Sequence, residues 1–192
     1  MVDIVKRFVS RFEPYIIPKI NRITFNHNKE MEEKFKKLIG NRKVIQLYHC
    51  TDSSNYSNIS KNIFNNGFHI GPGSNKGYGV YFASHSQYSA FWGGGNHIIV
   101  CDIIVDEDFV SKHISEIYSS VNNWEYVVSK TELIFPRCLI EFKLSIDNSY
   151  RNKSWSNGIC DNCRYEKEKL EECFRRCDCK HFPVADIDDI LV

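Results

Sequence analysis

Residues 76 to 92 read KGYGVYFASHSQYSAFW, and residues 47 to 51 upstream read LYHCT. The longer stretch predicts a short strand that carries Tyr81, followed by a helix over residues 86–92. Gly77 and Gly79 precede Tyr81, and glycines at such positions allow a ligand to approach the backbone closely. The shorter stretch places His49 at the end of an apolar strand over residues 44–48. These two strands are therefore the starting point for both the fold and the candidate site.

Length and charge narrow the class of protein. The chain has 192 residues, enough for one well-buried domain and a small appendage, and a net charge of +1 from 25 basic and 24 acidic residues. This balance gives nucleic-acid binding no electrostatic support. No stretch approaches the roughly 20 apolar residues that span a bilayer. The N-terminal residues lack the features of a secretory signal, so we expect an intracellular protein, cytoplasmic or nuclear, with no membrane partner.

The chain divides into three parts by composition. Residues 1–26 read as an N-terminal arm broken by Pro14 and Pro18, with an amphipathic helix that docks on the domain; an interfacial membrane anchor and a targeting peptide are the alternatives. Residues 27–144 read as one mixed α+β domain and residues 145–192 as a Cys-rich tail. Within the domain we expect a helix over 29–39, capped by Asn28 and stopped at Gly40, and a short helix over 54–65.

The remaining elements of the domain are mostly strands. Their predicted ranges are 79–83, 97–105, 125–128 and 137–144, with Pro136 between the last two. The run over 97–105 is almost continuously apolar, which is typical of a central strand. Residues 109–120 are predicted to form a helix or an irregular loop.

Two further stretches extend the pattern. Residues 19–38 read KINRITFNHNKEMEEKFKKL, and residues 125–142 read EYVVSKTELIFPRCLIEF. Together with the two stretches above, they resemble the poly(ADP-ribose) polymerase-like ADP-ribosyltransferases of the His-Tyr-Glu type. That family closes with a Glu-Tyr-Val-Val strand and then Pro-Arg-Tyr-Leu-Ile-Glu-Tyr, which aligns here without a gap. The resemblance spans residues 15–144 and implies a split, mixed or antiparallel β-sheet with short helices and an NAD cleft between two half-sheets.

The resemblance implies three catalytic residues. His49 would form a hydrogen bond with the adenosine ribose, and Tyr81 would stack on the nicotinamide ring. Glu125 would form a hydrogen bond with the 2′-hydroxyl of the nicotinamide ribose. Cleavage of the nicotinamide–ribose bond passes through an oxocarbenium-like state, which a carboxylate beside the ribose stabilises. Glu132 is the competing candidate for the carboxylate, because it also precedes an apolar run. The gapless match at residues 136–137 favours Glu125.

Five more residues acquire expected roles in NAD binding from the resemblance. Ser89 would bond the carboxamide, and Thr51 lies where the family has a small hydroxyl residue near the adenosine ribose. Trp92 falls where some members have a second stacking tyrosine, and Tyr88 is the alternative for that stack. Cys50 stands where the family usually has glycine, at the position whose main chain bonds the carboxamide.

These residues lead us to expect an NAD⁺-dependent ADP-ribosyltransferase, a pentosyl-transferring glycosyltransferase that makes mono-ADP-ribose or short-chain products. The loops around the site are short, which disfavours long chains. The sequence leaves the acceptor unidentified, and we favour a protein over a nucleic acid. One rival is an inactive relative that binds ADP-ribose, RNA or a partner protein, an idea motivated by Cys50 and the short loops. The others are an NAD glycohydrolase and a zinc-dependent interaction module with a vestigial enzymatic part.

The tail carries most of the cysteines. Of eight in the chain, five fall between residues 160 and 179. Without a secretory signal, such a cluster favours a metal over disulfides. Cys160 and Cys163 form a C-x2-C pair, and the second pair would come from Cys173, Cys177, Cys179 or His181. We predict a structural Zn²⁺ held by Cys160, Cys163, Cys177 and Cys179, with free thiols or disulfides as the alternatives.

Overall fold

The elements follow one another as short helices between longer strands. The computed structural model describes residues 2–12, 16–50, 62–70, 76–92, 96–114, 124–146, 155–156 and 159–160. The helices are α1 (Val2–Val9), α2 (Lys29–Ile39), α3 (Phe64–Asn66) and α4 (Ser86–Trp92), with a 3₁₀ turn at Thr131–Leu133. The strands are β1 (Ile16–Phe25), β2 (Val44–His49), β3 (Val80–Ala83), β4 (His97–Ile104), β5 (Val110–Ile114), β6 (Trp124–Val128), β7 (Ile134–Ile146), β8 (Trp155–Ser156) and β9 (Ile159–Cys160).

Seven of the strands form one antiparallel sheet. Their order is β1-β7-β4-β2-β3-β6-β5, while β8 and β9 pair with each other. The structure therefore has the mixed α and β class with an antiparallel sheet and few, short helices. No helix among the described residues is long and apolar enough to cross a membrane.

Helices cover both faces of the sheet. On one face, Phe35 of α2 and Phe64 of α3 pack against Leu47, Phe82 and their neighbours. On the other face, Phe8 of α1 and Ala90 of α4 belong to a second apolar cluster. Because the sheet is covered twice, all eight residues of β4 are buried. The sequence prediction that residues 97–105 form a central strand is confirmed for β4, whose apolar run is explained by burial on both faces.

The ends of α2 are those the sequence predicts. The side chain of Asn28 accepts a hydrogen bond from the Met31 amide at 3.0 Å, and this bond satisfies one of the unpaired donors of the first turn. Gly40 follows the last turn with φ 52°, a conformation that favours glycine. The side-chain amide nitrogen of Asn28 also donates to the backbone carbonyls of Phe64 and Asn65, and these bonds join α2 to α3.

The pairing between neighbouring strands of the sheet is shortest between β2 and β3. Among the described residues, these strands share a single residue pair, Tyr48 with Ala83. By contrast, β2 is paired with β4 from Val44 to His49, and β3 with β6 along its whole length. The β2–β3 joint therefore divides the sheet into a part with β1, β7, β4 and β2 and a part with β3, β6 and β5.

Three expectations about local structure were wrong. Residues 110–114 form a strand that pairs with β6, not a helix or loop, because the pairing outweighs a weak local pattern. Pro136 lies inside β7, opposite Cys101 and beside a register shift, where the regular ladder is already interrupted. Pro18 does not break the chain but lies within β1, opposite Leu144, at the edge of the sheet where proline is tolerated.

Candidate functional site

His49 fills the joint between β2 and β3. Its Nδ1 lies 2.7 Å from the Tyr81 carbonyl oxygen, and its ring packs edge-on against Phe68 with centroids 5.0 Å apart. A carbonyl oxygen only accepts, so we assign the proton to Nδ1, which donates. Burial lowers the pKa of His49 and keeps the ring neutral near pH 7. The other nitrogen, Nε2, is then unprotonated and suited to accept a hydrogen bond from a ligand hydroxyl.

Tyr81 is held by the turn that precedes it. The ring is half-buried, and its hydroxyl donates to the Gly77 carbonyl at 2.6 Å. Gly77 has φ 103°, a backbone conformation that favours glycine, so the turn is specified by this residue. The hydrogen bond fixes the aromatic ring in one place before any ligand arrives.

Gly79 has a different role from the expected one. A Cβ atom at this position would lie 2.6 Å from Val127 Cγ1 and 2.8 Å from the Val128 carbonyl oxygen. Its small size is therefore required by the close approach of β3 to β6. The approach of a ligand to the backbone at this position stays a prediction.

Glu125 lies on β6, opposite Ala83 of β3 and His113 of β5. Its side chain is only 15% exposed and forms an ion pair with Lys76 through Oε2. The other oxygen, Oε1, accepts a hydrogen bond from the Tyr88 hydroxyl at 3.1 Å. A carboxylate offers about four lone-pair positions, so each oxygen keeps one for a ligand hydroxyl.

The three residues grouped by the resemblance thus occupy three consecutive strands. His49 ends β2, Tyr81 lies on β3, and Glu125 lies on β6, the next strand in the sheet. The arrangement places a neutral hydrogen-bond acceptor, a fixed aromatic ring and a carboxylate on adjoining strands, with the His49 ring packed against Phe68 and Phe82. These are the groups that hold a sugar hydroxyl, a flat heterocycle and a developing positive charge.

Helix α4 connects this site to the sheet. Ser89 is buried, and its hydroxyl donates to the Tyr48 carbonyl at 2.7 Å, which anchors α4 on β2. The hydroxyl oxygen keeps lone pairs that suit it to accept from an amide such as a carboxamide. Tyr88 is also buried, and its bond to Glu125 anchors α4 on β6. Trp92 is the last residue of α4, and its side chain lies outside the described part of the structure.

No protein-family model and no curated protein matches this sequence. The resemblance therefore depends on the four quoted stretches. What the geometry adds is that residues 49, 81 and 125, far apart in the sequence, occupy adjoining strands.

Cys50 is engaged with the neighbouring strand. Its thiol donates to the His97 carbonyl at 2.9 Å, and the half-buried side chain packs on the second apolar cluster. Cys101 and Cys138 are fully buried in the sheet. Burial raises the pKa of both thiols, to about 12 for Cys138, so neither is a reactive thiolate near pH 7.

Several predicted site residues lie outside the described residues. They are Thr51, Cys163, Cys177 and Cys179. Cys160 belongs to β9, but its side chain is not described. Within the described ranges, no group of three or more His, Cys, Asp or Glu side chains is arranged to hold a metal. The zinc site in the tail stays a prediction.

The rival carboxylate lies elsewhere. Glu132 is exposed on the 3₁₀ turn between β6 and β7. Arg137, part of the motif that favoured Glu125, donates from Nε to Asp102 at 2.8 Å and so joins β7 to β4. The Pro-Arg motif therefore contributes to the pairing of β7 with β4.

One residue of the site was missed by sequence reasoning. Lys76 begins the quoted stretch, but the sequence pattern predicts no role for it, and only its ion pair with Glu125 indicates one. The available signal was that a carboxylate shielded from water needs a compensating charge. Lys76 is the lysine nearest in sequence to the Gly77–Gly79 turn.

Proposed function

We propose that this protein is an NAD⁺-dependent ADP-ribosyltransferase with the fold of the poly(ADP-ribose) polymerase-like family. The bond between C1′ of the nicotinamide ribose and the nicotinamide nitrogen breaks, and its electron pair leaves with nicotinamide. A new bond forms between C1′ and a nucleophilic atom of the acceptor, whose proton passes to solvent. The products are nicotinamide and an ADP-ribosylated acceptor, and a single transfer per acceptor or short chains are favoured.

The observation that carries the proposal is the β2–β3 joint. Here His49, Tyr81 and Glu125 come from neighbouring strands, and the sheet is joined by a single described residue pair. A narrow joint supports the proposal because a cleft between two half-sheets is where this family accommodates NAD. The antiparallel sheet, the short helices and the three residues in family order agree with one another.

His49 and Tyr81 would bind and orient the substrate. The Nδ1–H of His49 is committed to the Tyr81 carbonyl, so Nε2 would accept a hydroxyl of the adenosine ribose. The Tyr81 ring, fixed by its bond to Gly77, would lie against the nicotinamide ring. Binding of this kind places the scissile bond and reduces the entropic part of the barrier.

Glu125 would act on the transition state. As the bond to nicotinamide breaks, positive charge develops on the ribose, and the carboxylate would stabilise it while accepting the 2′-hydroxyl. The contribution grows along the reaction coordinate, so its loss should lower kcat more than it raises KM.

The test uses NAD⁺ labelled separately on the adenylate and on the nicotinamide. Wild type should release labelled nicotinamide and retain the adenylate label covalently on itself or on added lysate protein. Glu125→Gln should lower kcat by about a hundredfold or more. His49→Ala should raise KM by about tenfold, the loss expected for one hydrogen bond. Glu132→Gln, which changes an exposed carboxylate, is the matched control and should leave both parameters unchanged.

Each alternative gives a different result. Released nicotinamide without retained label would identify an NAD glycohydrolase. Binding of ADP-ribose without any release would identify a binding module, and the proposal would then be wrong. Equal activity in wild type and Glu125→Gln would remove Glu125 from the reaction.

A further inference from the structure

The Glu125 carboxylate is contacted on both oxygens by side chains from separate elements. Lys76, in the turn before β3, pairs with Oε2, and Tyr88 of α4 donates to Oε1. The side chains of Lys76 and Glu125 are 24% and 15% exposed. By comparison, Lys34 and Glu30 on α2 form an ion pair whose side chains are 72% and 78% exposed. The pair at Glu125 is therefore shielded from water, unlike the surface pair.

Because it is shielded from water, the Lys76–Glu125 ion pair should be stronger than the exposed Lys34–Glu30 pair. Exposed ion pairs contribute little because water and salt screen them and because two long side chains must be ordered. A shielded carboxylate has a stronger interaction with its partner and a larger penalty when the partner is removed. Lys76 is thus placed to fix where the Glu125 carboxylate lies.

The turn that carries Lys76 is itself fixed. Gly77 follows Lys76 directly with φ 103°, and its carbonyl accepts the Tyr81 hydroxyl at 2.6 Å. Tyr88 is anchored through α4, since its neighbour Ser89 bonds the Tyr48 carbonyl. Both groups that contact Glu125 are therefore held by hydrogen bonds of their own elements, a second layer of support for the carboxylate.

We propose that Lys76 and Tyr88 are positioning residues that hold the Glu125 carboxylate in one orientation, with one lone pair of each oxygen left for the substrate ribose. This inference rests on the proposed function. Neither residue needs to touch NAD⁺, because both act through Glu125. Their loss should weaken an interaction made mainly in the transition state, and should therefore lower kcat while leaving KM little changed.

The experiment measures kcat and KM for nicotinamide release by the full chain. Lys76→Met and Tyr88→Phe should each lower kcat by about tenfold, with KM within about twofold of wild type. Lys76→Arg keeps the charge and should recover most of the loss. Lys34→Met is the matched control, because it breaks an exposed lysine–glutamate pair outside the site, and it should change neither parameter.

A double-mutant cycle tests whether Lys76 acts through Glu125. In a Glu125→Gln background, Lys76→Met should cause no further loss, since the group that it positions is gone. Equal fold-losses in both backgrounds would overturn the inference. So would a higher kcat in Lys76→Met, because Lys76 would then block the carboxylate, or an effect confined to KM, because Lys76 would then bind substrate.

A spectroscopic readout separates this inference from the proposed function. In protein labelled with ¹³C at glutamate carboxyls, the Glu125 resonance is assigned by its disappearance in Glu125→Gln. It should move in Lys76→Met and Tyr88→Phe and stay in place in Lys34→Met. An unmoved resonance would overturn the inference whatever the activity. If the resonance moves but wild type does not cleave NAD⁺, the contact is real, and the proposed function fails together with the positioning role that rests on it.

Discussion

At the scale of single residues, the site is built from side chains that also hold the fold together. His49 satisfies the Tyr81 carbonyl at a point where the β2–β3 ladder has one described pair. Backbone carbonyls away from water need partners, so this bond gives the histidine a structural role. The proposed role in substrate binding needs only the other ring nitrogen, Nε2, which would accept a hydrogen bond from a ligand hydroxyl. Structural and catalytic explanations of His49 are therefore compatible.

His85, between β3 and α4, makes stability depend on pH. Burial and the nearby Arg11 charge lower its pKa from 6.5 to about 4. Between these pH values the unfolded chain binds a proton that the folded chain does not, so the free energy of unfolding falls as the pH falls. At about 1.4 kcal/mol per pH unit, the loss across this window is about 3 kcal/mol, and it is absent above pH 6.5.

The measurement is urea unfolding of wild type and His85→Gln between pH 4 and pH 7. The variant should lose stability less steeply below pH 6.5, with a residual slope because burial also lowers the pKa of His49. His27→Gln, which changes an exposed histidine, should follow wild type. Identical slopes for wild type and His85→Gln would contradict the assignment.

At the scale of elements, the position of Glu125 depends on how closely β3 and β6 pack. Gly79→Ala would place a Cβ atom 2.6 Å from Val127 Cγ1 and 2.8 Å from the Val128 carbonyl oxygen, so β6 must shift. Overpacking of this kind costs about 1–3 kcal/mol. Because β6 also carries Glu125, kcat for nicotinamide release should fall as well.

Gly40→Ala is the control for this variant. Gly40 has φ 52°, but a Cβ atom there would meet no atom within 4 Å. The variant should lose about 1–3 kcal/mol of stability through backbone strain and keep its kcat. If Gly79→Ala retained both stability and kcat, the close approach of β3 to β6 would not govern the site.

Sequence reasoning succeeded for elements whose pattern is local. The Asn28 cap and Gly40 stop of α2 lie within the helix ends, and the continuous apolar run of β4 reflects burial on both faces. It failed for β5, which is a strand because it pairs with β6, and for Pro136, which a register shift accommodates. Lys76 could not be assigned because its partner is distant in sequence and the contact depends on the turn at Gly77.

At the scale of the whole molecule, α1 supports the site from the second face of the sheet. Phe8 is fully buried, with its ring 5.2 Å from the rings of both Phe12 and Phe142. Its carbonyl accepts the Ser86 hydroxyl at 2.7 Å, which fixes the start of α4. Since α4 carries Tyr88, the N-terminal helix is connected to Glu125 through one short helix.

Truncation of Phe8 should therefore affect the whole structure. Phe8→Ala should cost about 3–5 kcal/mol of unfolding free energy, the range for a large aromatic removed from a core. Val9→Ala changes a neighbouring side chain that is 40% exposed, and should stay within about 0.5 kcal/mol of wild type. Thermal or urea unfolding measures the free energy of unfolding of both variants. Equal values for Phe8→Ala and Val9→Ala would mean that α1 does not pack on the sheet as described.

The proposed function is tested most sharply by a crystal structure with an uncleavable NAD⁺ analogue. In this analogue the ring oxygen of the nicotinamide ribose is replaced by a methylene group, and the ribose hydroxyls are kept. The proposed function predicts the nicotinamide-ribose 2′-hydroxyl within about 3.2 Å of Glu125. It also predicts an adenosine ribose hydroxyl on Nε2 of His49 and the nicotinamide ring against Tyr81. An analogue bound away from these residues, or no bound analogue at millimolar concentration, would contradict it.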